Sequence, residues 1–94
     1  MSDKFEELKK KYTGSFGQKQ KDIKSAWDEN NFKELESLLH KLAGSSGSYE
    51  FLKLSQLCRQ AMKFINYNIE IDEKKQFESC LDAMFIEMDK YVKS

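Results

Sequence analysis

Not one proline interrupts the 94 residues of this chain. Lysine, glutamate and leucine, all strong helix formers, are abundant instead. A chain so composed is expected to be helical throughout, since proline is the residue that stops a helix most firmly. Apolar residues then recur at spacings of three and four, as one face of a helix requires.

Those stripes divide the chain. Ser2 or Asp3 is placed to cap a first helix reaching about Tyr12, with Phe5, Leu8 and Tyr12 on one face. Thr13-Gly14-Ser15 interrupts it, and Ser15 with Gln18 resembles a capping box for a second helix. That helix carries Phe16, Ile23, Ala26 and Trp27 inward and ends near Asn30. Asn31 with Glu34 resembles another such box and starts a third helix, from Phe32 to Ser48 or Tyr49. After a bend at Glu50 and Phe51, a fourth helix buries Leu54, Leu57, Cys58, Ala61 and Ile65, with Phe64 or Met62 at its margin. Tyr67 to Ile71 is the next connection, because Asn66 and Asn68 favour turns. Asp72 then caps a fifth helix with Phe77, Leu81, Met84, Met88 and Tyr91 on its stripe and Phe85 and Val92 alongside. The expected fold is all-α: an antiparallel up-down four-helix bundle with an additional short N-terminal helix across one end, forming a single domain over residues 1–94.

Composition narrows the function. The formal net charge is zero, and Arg59 is the only arginine. Nucleic-acid binding is disfavoured, because the phosphate backbone rewards a concentrated basic excess. No apolar run is long enough to span a membrane, no signal peptide is evident, and the expected location is cytoplasmic. Cys58 and Cys80 form no CxxC pair, and one histidine completes no common zinc spacing with them, so no metal site is expected. A disulfide between them and two buried free thiols both remain open, the second preferred.

The third helix carries the chemistry. With Leu35 set at zero and about 100° per residue, Leu38, Leu39, Leu42, Ser46 and Tyr49 fall within roughly 60° of it. His40, the only histidine, falls near 140°, with Gly44 near 180° and Gly47 near 120° on the same estimate. The leucines face a core and the imidazole faces water, beside two positions with no side chain. Each interior glycine costs a helix about 1 kcal/mol against alanine. Two such costs beside one exposed ring suggest that clearance around the ring matters. The competing reading takes Gly44-Ser45-Ser46-Gly47-Ser48 as a flexible linker, with the helix ending at Ala43. Ser46 and Tyr49 stay in phase with Leu39 and Leu42, which favours the helix.

The run Leu39 to Phe51 resembles the histidine-containing phosphotransfer (HPt) domain. His40, Leu42 two residues on, Gly44 four on, Ser45 with Ser46, and Gly47 seven on fill that family's motif. Trp27-Asp28-Glu29-Asn30-Asn31-Phe32 also sits where the family turns from one bundle helix into the next. The resemblance implies a phosphorelay intermediate that takes a phosphoryl group from a receiver-domain aspartate and passes it to another receiver. His40 is then the phosphorylated nucleophile. A histidine's ordinary pKa near ~6.5 suits this, leaving the ring mostly neutral at cytoplasmic pH. Phosphoryl transfer rests on positioning and charge stabilisation. Lys41, Gly44, Ser45 and Gly47 are the expected phosphoryl- or partner-facing supports, although Lys41 also reads as an ordinary solvated lysine. Arg59 or Gln60 on the next helix is the candidate for fixing the ring's tautomer.

No cofactor is expected in this chain, and Mg²⁺ belongs to the partner receiver. The expected partners are receiver domains or a hybrid sensor histidine kinase, met by a monomer that lacks kinase activity of its own. Met1 at the start favours a free-standing protein. Two departures from the family pattern stand out: Ala43 where many members carry lysine, and Glu50 where a glycine is common. Charge stabilisation then rests on Lys41 or Lys33, and the helix-ending geometry at Glu50 is in question. The alternative function is a phosphorylation-independent helical module that binds receivers or other signalling partners through the same face.

Overall fold

The apolar periodicity is realised as five α-helices in a computed structural model that describes residues 2–65 and 71–92. They are α1 (Ser2–Gly14), α2 (Phe16–Asp28), α3 (Phe32–Ser48), α4 (Leu52–Ile65) and α5 (Ile71–Val92). No strand occurs among the described residues. Helix α2 packs on α3, α3 on α4, α4 on α5, and α5 back on α2. Phe16, Ile23, Leu35, Leu39, Leu54, Cys58, Phe77, Met84 and Met88 fill the space between them. Burial of such side chains contributes about 1.5–3 kcal/mol each and is the main force holding the helices together.

The two sharp corners have the same design. At the end of α2 the Asn30 N–H donates to the Trp27 carbonyl at 3.1 Å and the Asn31 N–H to Ala26 at 2.8 Å. At the end of α3 Glu50 donates to Gly47 at 3.1 Å and Phe51 to Ser46 at 2.8 Å. These are paired Schellman bonds, which satisfy helix-terminal carbonyls by placing one residue in the left-handed region. Asn30 (φ 56°) and Glu50 (φ 69°) are those residues. Asparagine tolerates this conformation, while glutamate carries the strain that glycine avoids. Glu50 therefore makes the turn a glycine would make.

Asn31 both ends one helix and starts the next. Its side chain accepts from the Glu34 N–H at 3.3 Å, capping α3 as the sequence suggests. The box is one-sided, since the Asn31 N–H is already bonded to Ala26.

Ser15 does not cap α2. It keeps a right-handed conformation (φ −88°, ψ −4°) rather than the extended one a cap needs. Its hydroxyl donates back to the Tyr12 carbonyl at 2.6 Å and accepts from Lys19 Nζ at 2.6 Å, while Gln18 bonds Asp22. The Lys19 N–H still reaches the Ser15 carbonyl, so α1 and α2 meet at a one-residue joint. α1 turns onto the α3–α4 corner. The Tyr12 ring stacks on Tyr49 at 4.5 Å and on Phe51 at 5.9 Å, and Phe5 stacks on Tyr49 at 6.2 Å.

Other expectations shift in detail. Leu57 and Ile65 are only partly buried on α4, where Ser55 takes a buried place. Trp27 is partly buried, wedged between Phe77 at 4.6 Å and Phe32 at 6.0 Å. Leu8 and Val92 are exposed. Helix α5 begins at Ile71, so Asp72 lies within its first turn and not at its cap. The connection expected over Tyr67–Ile71 falls, up to residue 70, outside the described residues. Both cysteines are free, which rules out the disulfide, and Cys58 is buried while Cys80 is half-buried.

Glu87 is buried with 6% of its surface exposed. Its carboxylate accepts from Lys90 Nζ at 3.1 Å and the Tyr91 hydroxyl at 3.2 Å, and Lys53 Nζ lies 3.7 Å away. Burial alone would push this carboxyl up. Lys90 chiefly, with Tyr91 and Lys53, outweighs that and holds it below the usual carboxylate range.

Candidate functional site

Helix α3 is amphipathic about a line of buried residues: Leu35, Leu39, Leu42, Ala43 and Ser46. That line fixes which residues point outward. His40 and Gly44 are exposed, and Gly47 is half-buried. The glycine-serine run is helical through Ser48, so the flexible-linker reading is overturned.

A helical side chain covers the turn that precedes it. Position 44 is therefore the one whose side chain would lie over His40, and glycine leaves that side of the ring bare. A Cβ built on Gly44 meets nothing within 4 Å. One built on Gly47 meets Ser55 Oγ at 3.6 Å, an ordinary contact. The internal packing of α3 demands neither glycine.

Three serines hold the helix in place. Ser46 Oγ and Ser55 Oγ both donate to the Ala43 carbonyl, at 3.2 and 2.9 Å, which draws α4 against α3. Ser45 faces the other way. Its Oγ lies 2.5 Å from the Tyr12 hydroxyl and donates to the Leu42 carbonyl at 3.3 Å. The hydroxyl expected to serve a phosphoryl group is thus engaged in tying α3 to α1. Burial pushes the Tyr12 phenol up, against the smaller opposing effect of that hydrogen bond.

The lysines near His40 separate. Lys33 shares a shallow open depression with Glu36, Ser37 and His40. Lys41 is exposed and lines a different hollow with Tyr12, Lys19, Asp22, Leu38 and Ser45. Ala43 is buried against α4, so the position where other chains place a lysine is committed to packing here. Arg59 and Gln60 are exposed on α4, and among the described residues neither hydrogen-bonds His40. The tautomer-fixing role expected of them is not realised. Glu36 and Ser37, four and three residues before His40, lie on its side of the helix and line the same depression.

Among the described residues no three His, Cys, Asp or Glu side chains are grouped to hold a metal ion, and no helix is long and apolar enough to cross a membrane.

The described residues form helices that present one imidazole on an open helix face. The family model described as Hpt domain matches residues 7–91. The chain belongs to the Hpt domain family, the histidine phosphotransfer modules of two-component signalling, which as a class meet receiver domains and kinases. No curated protein and no solved structure matches it.

Proposed function

We propose that this protein is a phosphorelay intermediate in which His40 accepts a phosphoryl group from a receiver-domain aspartate and delivers it to another receiver. The observation that carries this reading is the exposed ring with the bare Gly44 backbone beside it. A neutral imidazole nitrogen attacks phosphorus, and the aspartate carboxylate leaves. The receiver supplies Mg²⁺ and the acidic pocket, so this chain contributes the nucleophile, a docking face and nearby positive charge. Lys33, in the same depression as the ring, and Lys41, next to it in the chain, offset the charge of the phosphoryl oxygens. Helices α2–α5 form an antiparallel up-down bundle with α1 as the additional element at one end. The chain acts as one domain over residues 1–94, as a monomer, without kinase activity of its own.

Incubation with a phosphorylated receiver and Mg²⁺ should move label onto this chain. The label is acid-labile, as phosphohistidine is, and disappears in His40→Gln. Label that persists in His40→Gln, or that resists acid as a phosphoserine on Ser45 would, refutes the proposal.

A further inference from the structure

The seam between α2 and α5 is tied at two places and open between them. Toward one end Gln20 Nε2 donates to the Asp89 carboxylate at 3.0 Å. Toward the other the Trp27 ring lies against Phe77 at 4.6 Å. The groove between these ties holds about 580 Å³, and Trp27, Leu81 and Phe85, all buried or half-buried, form its floor. Its exposed walls carry opposite charge, with Lys21 and Lys24 on α2 and Glu78 and Asp82 on α5. Asp28 is the one acid on the α2 side. Among the described residues none of these five charged side chains forms a hydrogen bond or ion pair. Spacings of three and four stack each like-charged pair along its helix, so the charges run in two rows and do not converge on a point. A small ligand calls for convergent polar groups, whereas a helix laid in a groove calls for an apolar floor with rows beside it.

We infer that this groove docks an amphipathic helix of another protein, with its apolar ridge on Trp27, Leu81 and Phe85, an acidic flank against Lys21 and Lys24, and a basic flank against Glu78 and Asp82. A helix of a second copy does not suit, because the apolar stripes of this chain are spent in its own core. The added helix packs on α2 and α5 at the usual interaxial distance of about 8–10 Å. It leaves His40 free. Helix α3 packs on α2 and α4 and makes no close backbone approach to α5 among the described residues, so it stands diagonally across the bundle from α5. The side of α3 turned to α2 carries Leu38, Lys41 and Ser45, and His40 lies about 130° round the helix from them. The groove therefore tethers the chain to a partner while the imidazole face stays open. The inference is independent of the phosphocarrier reading.

Three helical peptides test it, alike in their apolar ridge and free of tryptophan. One carries glutamates on one flank and lysines on the other, the second lysines on both, the third glutamates on both. Trp27, the only tryptophan, reports binding to the full chain through its emission. The mixed peptide should bind about tenfold more tightly than either single-sign peptide, the scale of a few exposed ion pairs exchanged for repulsions. Its ¹⁵N–¹H perturbations should fall on α2 and α5 and spare His40. Lys21→Glu with Lys24→Glu makes both walls acidic, and the all-lysine peptide should then bind best. Both lysines are exposed and glutamate is a good helix former, so the double variant keeps the fold. Absence of binding by the mixed peptide, an equal affinity for all three, or a ranking unchanged in the double variant overturns the inference. So do perturbations centred on the α3–α4 face. Self-association of the native chain that the double variant abolishes would give the groove to a second copy and overturn it as well.

Discussion

Gly44 lowers the stability of the helix that carries it and gives nothing back in internal packing, since the space a Cβ would take is empty. Gly44→Ala should therefore stabilise the fold by about 0.5–1 kcal/mol, read as a higher urea midpoint. It should at the same time slow receiver-dependent labelling of His40, because the added methyl stands on the proposed docking face. Glu50 is the reverse case. Its left-handed backbone costs about 1 kcal/mol in a non-glycine residue. Its exposed ion pair with Lys9, at 3.8 Å, recovers little. Glu50→Gly should raise stability by about 0.5–1 kcal/mol and leave labelling of His40 unchanged. The two substitutions run in opposite chemical directions, and both should firm the fold.

At the scale of elements, Asn31 and Tyr12 are the joints to test. Asn31→Ala removes the α3 cap and should cost about 1 kcal/mol in denaturant titration. Tyr12→Phe keeps the aromatic stack on Tyr49 and breaks only the bond to Ser45, and should cost about 0.5–1.5 kcal/mol. The first of these is legible in the sequence, because a capping side chain acts on a backbone group three residues away. The bounds of α3 were legible for the same reason, and so was the exposure of His40, which follows from phase alone. What the sequence hid depends on groups brought from a distance. Ser15 looks like a cap, but its backbone conformation follows α1 as it turns onto Tyr49 and Phe51. Glu87 sits on the edge of an apolar stripe, and although its chief partners Lys90 and Tyr91 lie within one turn, its burial and the added charge of Lys53 come from the packing of α4. Ser45 matches a motif position, yet Tyr12, 33 residues earlier, has claimed its hydroxyl.

For the whole molecule, buried ionisable groups set the range of pH in which it stays folded. Glu87 is held below the ordinary carboxylate value of 4.5, so its contribution is present above that value and is lost as pH falls through the folded one. Acid unfolding should be shallower in Glu87→Gln. At the other extreme, burial pushes the Cys58 thiol from 9.0 up to about 12. The unfolded chain ionises there first, so stability should decline as pH rises from about 9 toward 12, and less steeply in Cys58→Ala. The aromatic residues offer a way to watch such losses. Trp27 reports from one end of α5, where it meets Phe77, and the cluster of Tyr12, Tyr49 and Phe51 with Tyr91 gathers near the other, about 20 Å along the helix. Indole emission thus reports one region, and tyrosine absorbance, with three of the four tyrosines in the cluster, reports chiefly the other. Coincident melting of both signals would make the protein one cooperative unit, and a tyrosine transition that comes first would mark α1 as the part that lets go early.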